Sequence, residues 1–412
     1  MAYRLIGIAA SAIMVLGACA SIPANSGAHS VSPAALATHM KLLTLDTHLD
    51  TPAFFDTAHG YDIMKRHDVD RDGTEVDVPR MREGGLDGGF FAIFMGAGPL
   101  TPAGYADVRD RALIRAVSIQ KMIAANPGTF ELALTPDDAR RINAKGKIFA
   151  FLSMENSYEL GDDLTLLDTF YKLGVRLASP VHNGTNQLAD STNGEAKWGG
   201  LSPMGKAWLK RCNELGVMID GSHSSNQTIE QMIDLSATPI VLSHHGASGL
   251  FAHPRNSPDA LLKKLAAKGG VIQMNTMFLR TVAQTPERTA AMGELSKKYG
   301  RGDNLSADKY EAYLDELQAL NKKYPETLAA FEDYLAQITY ALKLIGPEHV
   351  GLGADWDGGG GLTGYRDISY LPKVTEHLLA AGYTQADLAN IMGGNVLRVM
   401  RQTQDYAAGL KK

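Results

Sequence analysis

Short apolar runs recur along the chain, separated by helical segments. Eight runs rich in Val, Ile, Leu and Phe read as strands: 43–48, 89–95, 147–153, 174–180, 216–221, 238–243, 270–275 and 349–354. They are near-continuous rather than alternating, which suits parallel strands covered on both faces. Helix boundaries can be read between several of them. Ser257-Pro258-Asp259 follows the N-cap, N1, N2 pattern, Gly269-Gly270 ends the same helix, and Gly216 closes the helix before the fifth strand. Eight strands alternating with helices predict an α/β fold, a (β/α)8 TIM barrel.

Two stretches depart from a plain barrel. Between the seventh and eighth strands lies a helical insertion, 276–345, read as helices over 284–298, 306–322 and 325–345. On the side where strands lead into helices it would cover a site; packed outside it would only support the wall. The pattern fits both. Near the end, Thr384 and Asp387 form a capping-box-like pair. The helix after it, Leu388 to Arg401, reads as the last barrel helix.

Composition changes this picture little. The chain has 412 residues, 45% hydrophobic and 21% charged, with a formal net charge of -5. That length would suit two or three average domains, but barrels run long as single domains. No basic stretch stands out, so nucleic acid is not an expected partner. The start of the chain adds more. Leu5 to Leu16 is almost wholly apolar but too short for a membrane span, and it leads into Leu16-Gly17-Ala18-Cys19. This run resembles a bacterial lipobox; an ordinary signal peptide that happens to contain a cysteine is the alternative. The expectation is a signal peptide over 1–18, lipid on Cys19, a flexible tether over 19–36 and a catalytic barrel over 37–412. Such a protein would be exported and anchored in a bacterial envelope, on the periplasmic side, with Ala20-Ser21 suiting the outer membrane. The other cysteine, Cys212, has no disulfide partner and reads as a packed small hydrophobe.

The chemistry gathers at strand ends. His48 and Asp50 close the first strand two residues apart, spaced to face one way. Alone this pair is unremarkable, since a capping Asp beside a packed His looks the same. But Glu155 follows the third strand, His182 the fourth, His223 the fifth, His244 the sixth and Asp355 the eighth. The C-terminal ends of barrel strands are where such folds carry their active sites. Charged residues at so many of them are hard to explain as packing. Imidazole and carboxylate ligands without thiolate suit Zn²⁺, with Mn²⁺, Co²⁺ or Ni²⁺ as substitutes. Three His and two carboxylates exceed one open catalytic site and suffice for two ions sharing a bridge.

At this point the sequence resembles the membrane dipeptidase (renal dipeptidase) family, metallopeptidases of the amidohydrolase-like barrel class. The resemblance rests on Asp46-Thr47-His48-Leu49-Asp50, Asp77-Val78-Pro79-Arg80, Met154-Glu155-Asn156, Asp220-Gly221-Ser222-His223 and Ser243-His244. It continues through Pro254-Arg255-Asn256, Gly353-Ala354-Asp355-Trp356-Asp357-Gly358 and Gly394-Asn395-Val396-Leu397-Arg398. It implies a zinc-dependent dipeptidase acting through a hydroxide held between two Zn²⁺ ions, on dipeptides that include L-D forms. By the same resemblance His48 and Asp50 bind one ion, His223 and His244 the other, and Glu155 bridges them. His182 would hold the substrate carbonyl and the oxyanion, Arg255 the terminal carboxylate, and Asp355 would shuttle the proton. A homodimer is the assembly the family suggests.

The chain also departs from the family pattern. Leu49 and Thr51 replace residues that differ in many members, and His245 beside His244 is unusual; adjacent residues on a strand cannot aim at one ion. His245 is expected to support or pack. His253 near Arg255 is a substrate contact or a loop residue. Asp220 and Asp357 orient ligands or cap backbone. His39 reads as a surface or packing residue. Two rivals stand beside the dipeptidase: a related lactonase, amidase or phosphotriesterase, and a non-catalytic peptide-binding lipoprotein. The first usually bridges its metals with a modified lysine after the fourth strand, where this chain has Ser179-Pro180-Val181-His182.

Overall fold

Runs that are apolar throughout can be satisfied only where both faces of a strand are covered, and the folded chain does this by closing a barrel. The computed structural model describes residues 30–300 and 305–411. Its strands are β1 (Leu45–Leu49), β2 (Gly88–Phe94), β3 (Phe130–Leu132), β4 (Ile148–Glu155), β5 (Val175–Ala178), β6 (Met218–Ile219), β7 (Val241–Ala247), β8 (Asn256–Ser257), β9 (Val271–Met274) and β10 (Val350–Leu352). One sheet runs β1-β2-β4-β5-β6 and another β10-β9-β7-β8. Single parallel bridges, Leu49 with Trp356 and Asp220 with Val241, join the two at both seams. The eight expected strands are therefore the barrel. β3 and β8 are additions too short to stand out in the sequence; they pair with β4 and β7.

The interior is filled from below. Leu45, Phe90, Phe151, Leu177, Met218 and Val271, each from a different barrel strand, share one buried cluster with Val396, Leu397 and Met400. Those last three lie on the helix Asn395–Gly409. This corrects the expectation for the C-terminal helix. It meets strands from around the barrel, so it plugs the N-terminal mouth instead of lining the wall. The capping box of Thr384 and Asp387 is present, but it starts only a short helix, Gln385–Ala389, separated from the long one by a π-turn. The helix expected at Ser257 begins later, at Asp259. Ser257 lies in β8, where its hydroxyl donates to Asn226 Oδ1 and meets His245 Nε2 instead of capping.

The insertion is divided between a loop at the rim and the barrel wall. Helix Ala307–Lys323 leans onto the loop after β1, where His59 stacks on Tyr310 at 3.5 Å and Arg71 pairs with Glu311 and Asp315, and helix Pro286–Tyr299 packs on Ala307–Lys323 through Lys298 and Tyr299 on Glu316. The third helix, Phe331–Ile345, returns to the wall, where Tyr334 donates to Met274 O and Gln337 bonds the backbone of Ala247. It starts six residues after the expected 325, because Ala330 is extended and pairs with Thr363.

Pro33–His39 forms a helix capped by Ser32, so its first residues fall within the segment expected to be tether. His39 anchors it. The ring is fully buried, with Nε2 on Gly84 O at 2.9 Å and Nδ1 against Thr375 Oγ1 at 2.7 Å. Burial lowers its pKa to about 4, against the bond to Gly84 O, which favours the charged form. Between that value and the ordinary 6.5 the unfolded chain binds the extra proton, so stability is full above this window and falls as pH drops through it. From pH 7 to pH 5 the protein should lose about 2 kcal/mol more stability than a His39→Gln variant, read by urea unfolding of both. Equal losses would show that His39 does not titrate on unfolding.

Candidate active site

Seven of the side chains singled out at strand ends converge at one mouth of the barrel. Glu155 is the last residue of β4 and sits at the centre. Its Oε2 lies 3.5 Å from His48 Nε2; its Oε1 lies 3.1 Å from His223 Nε2 and 3.5 Å from His244 Nε2. His48 Nε2 is also 3.5 Å from Asp50 Oδ2 and 3.9 Å from Asp355 Oδ1. His182 lies with its ring between Phe94, at 4.5 Å, and His223, at 4.2 Å. Asp50 reaches the cluster by a different route from strand alternation. β1 ends at Leu49, and Asp50 turns at φ -85, ψ 2 into a 3-10 turn.

Several features of this cluster fit divalent cations. Glu155 Oε1 and His48 Nε2 are buried without a hydrogen-bond partner. His223 and His244 point their Nε2 atoms at one another at 2.8 Å. Three groups have ligand atoms mutually within 4.8 Å: His48, Glu155 and His244; Glu155, His182 and His223; His48, Asp50 and Asp355. Gly358 leaves the space beside them open, since a Cβ there would lie 2.3 Å from Asp50 Oδ2 and 2.4 Å from Asp355 Oδ1. The charges respond to this crowding. Burial would lower the His48 pKa, but Glu155 and Asp50 outweigh it and raise it well above the usual value. Burial pushes His223 and His244 well down, and Asp355 up to about 7. Glu155 is held well below the carboxylate range, against burial, by His48 and His182.

The supports lie at the barrel's seams. Asp46 accepts from His48 N at 2.9 Å and, across the β10/β1 seam, from Ala354 N at 3.0 Å. Asp220 accepts from Ser222 N and, across the β6/β7 seam, from Ser243 N, both at 2.9 Å. Ser243 donates to Asp220 and also meets His244 Nδ1 at 2.9 Å. Asp220 thus orients the His244 imidazole through Ser243 as well as capping backbone.

Sequence reasoning missed Glu75. It exchanges backbone-to-carboxylate bonds with Asp357, at 2.6 and 2.7 Å, and Asp357 also accepts from Thr51, next to Asp50. The pair clamps the loops after β1 and β10 together. Nothing in Thr74-Glu75-Val76 marks it, because the contact spans 282 residues. Also unforeseen, Asn156, His223, Asp355 and Asp357 adopt left-handed backbone with φ of 64–67°. Side chains avoid this region, and such strain concentrates at functional sites.

Arg255 stands apart from the ligand groups. It is fully buried, with Nη1 3.4 Å from His245 Nδ1, Nη2 3.4 Å from His244 O, and its guanidinium 5.4 Å over the Phe278 ring. Its Nε has no acceptor, and among the described residues no carboxylate pairs with it. Burial lowers its pKa only to about 10, so it stays cationic near neutrality. His245 packs beside Arg255 and is not aimed at the cluster; its Nε2 is tied to Ser257 Oγ at 2.9 Å. Cys212 is buried in Pro203–Leu215, as expected.

A closed parallel barrel with an imidazole–carboxylate cluster at its C-terminal mouth defines a metallohydrolase of the amidohydrolase-like kind. Comparison with known proteins narrows this. Residues 33–412 match the membrane dipeptidase family, peptidase family M19, and the chain belongs to it; it is a metallopeptidase of the dipeptidase kind. A dipeptidase of Aspergillus oryzae, aclJ, is 29% identical over 343 residues, 82% of this chain and 72% of the relative. One of Claviceps purpurea, tcpJ, is 27% identical over 343 residues, 82% of this chain and 71% of the relative. Among solved structures, the probable dipeptidase PvdM from Pseudomonas aeruginosa superposes with a TM-score of 0.75 at 29% identity, covering 90% of this chain and 98% of that one.

These relatives correct the expected location. Among the most similar curated relatives are fungal dipeptidases, from Claviceps, Aspergillus and Schizosaccharomyces, and not lipoproteins of a bacterial outer membrane. A tetrapeptide resembling a lipobox carries far less information than similarity over 343 residues, and the envelope anchor is withdrawn. Cys19 itself lies outside the described residues.

Proposed function

We propose that this protein cleaves dipeptides bearing a free terminal carboxylate, with two Zn²⁺ ions held by His48, Asp50, Glu155, His223 and His244. The observation that carries the substrate assignment is Arg255. A buried guanidinium without a carboxylate is costly, and a substrate carboxylate would supply what is missing. The donor set carries the metal assignment: nitrogen and oxygen ligands, no thiolate, and one glutamate with an oxygen toward each half of the cluster. When bound, zinc would supply Lewis acidity and make water acidic enough to ionise near neutral pH.

The protein's own residues do the rest. Arg255 fixes the substrate at its carboxylate end and so limits the chain to one residue beyond the scissile bond. His182, beside His223, is placed to donate to oxygen as the peptide carbonyl becomes an oxyanion. Asp355 takes the nucleophile's proton and returns it to the departing amine. The left-handed turn at Asp355 and the Glu75–Asp357 clamp keep that carboxylate facing Asp50 and His48.

The test is an L-L and L-D dipeptide panel, with the same dipeptides as C-terminal amides. Zinc-loaded protein should hydrolyse the free acids, lose activity on chelation and regain it with zinc. Arg255→Met should raise KM on the order of 10–100-fold with a smaller change in kcat, and erase the difference between acids and amides. Equal activity on amides by the native protein would refute the carboxylate grip; activity unimpaired without metal would refute the zinc assignment.

A further inference from the structure

We infer that the cavity beside Phe278 receives the side chain of the substrate's C-terminal residue and selects dipeptides that end in a large apolar residue. The inference rests on the dipeptide reading above and adds a substrate class to it. The cavity holds about 510 Å³, within the roughly 300–1,000 Å³ of small-molecule sites.

Its position ties it to the reacting groups. Phe278 forms part of its wall, and the same ring lies under the Arg255 guanidinium at 5.4 Å. Gly359 forms another part. It follows Gly358, the residue whose missing Cβ leaves room beside Asp50 and Asp355. A dipeptide with its carboxylate at Arg255 and its peptide bond near Asp355 therefore lays its second residue along this opening.

The walls suit an apolar occupant. Met277, Phe278, Leu279 and Leu328 line the cavity on its apolar side, Thr276, Gln284 and Thr327 add polar groups to the lining, and Arg280 and Glu326 are among its exposed members. Gly359 keeps the way in clear: a Cβ there would meet the Met277 sulfur at 3.2 Å, and its φ of 133° excludes ordinary side chains. Phe278 supplies an independent sign. Its φ is 55°, a strained conformation for a bulky aromatic residue. Asn256 holds it there by donating to Phe278 O at 3.0 Å, and His253 stacks on its ring at 4.4 Å. Strain of this sort persists at ligand clamps, where the ring's position matters more than the local cost. His253 thus acts through Phe278.

The experiment compares Ala-Gly, Ala-Ala, Ala-Leu and Ala-Phe as substrates. For the native zinc-loaded protein, kcat/KM should rise at least about tenfold from Ala-Gly to Ala-Leu, the discrimination an apolar pocket typically gives. Phe278→Gly relieves the strained φ, so it should fold, and it removes the wall; the Leu-to-Gly ratio should shrink to within about threefold. Leu328→Asp, on another wall of the cavity, should shrink it as well. The same order should appear in Kd when Ala-Leu and Ala-Gly are titrated calorimetrically into an Asp355→Asn protein. A flat panel, or a ratio unchanged in both variants, overturns the pocket while leaving the dipeptidase standing. Failure to hydrolyse any of the four overturns both.

Discussion

Glu155→Gln is expected to abolish dipeptide hydrolysis and to lower the amount of metal the protein retains. The carboxylate offers one oxygen toward His48 and the other toward His223 and His244, and its Oε1 is buried without a hydrogen-bond partner. A glutamine keeps the volume but removes the charge, and its amide nitrogen must face an imidazole or an ion. Changes to groups that merely support metal ligands cost 10–100-fold in affinity or activity, so losing a shared ligand should exceed about a hundredfold. Metal analysis after dialysis, beside an assay at saturating zinc, decides the matter. Full metal content with near-native turnover would remove Glu155 as the bridge. The fold should survive, because the cluster sits above the barrel's apolar filling.

Asp355→Asn has a different expected signature. Proton transfer by a placed carboxylate is worth on the order of 10²–10⁴-fold, so kcat should fall by that much while KM changes little. Metal content should stay at its native level. Asp355 Oδ1 lies 3.9 Å from His48 Nε2 and belongs to a group with His48 and Asp50 that could itself hold an ion. Metal loss in the variant would therefore reassign Asp355 from proton carrier to ligand. A kcat within a few-fold of native, with metal retained, would deny it either role.

These two residues also mark how far the sequence can be read. Glu155 and Asp355 were findable because each follows an apolar run, and the C-terminal ends of parallel strands are where a barrel places chemistry. His48, His182, His223 and His244 were findable for the same reason. Arg255 was reached only through resemblance, since it follows no barrel strand. Glu75 and Phe278 carried no local mark. Glu75 matters through Asp357, 282 residues away, and Phe278 through a left-handed turn between Arg255 and a cavity. Asp50 was found, but by an alternation argument the chain does not obey, because the strand ends one residue earlier.

The sequence by itself determined the barrel and the kinds of atom at its mouth. Strands buried on both faces must be apolar along their whole length, and charged residues at their ends stand out against that background. Only the tertiary structure decided which ends meet, at what distance, and what holds them. It made Asp46 and Asp220 the ties across the two seams, turned the last helix into a plug beneath the barrel, and left Arg255 as a buried cation without an anion among the described residues. Pairings between distant segments depend on how closed surfaces fit, and no local pattern of polar and apolar residues records that fit.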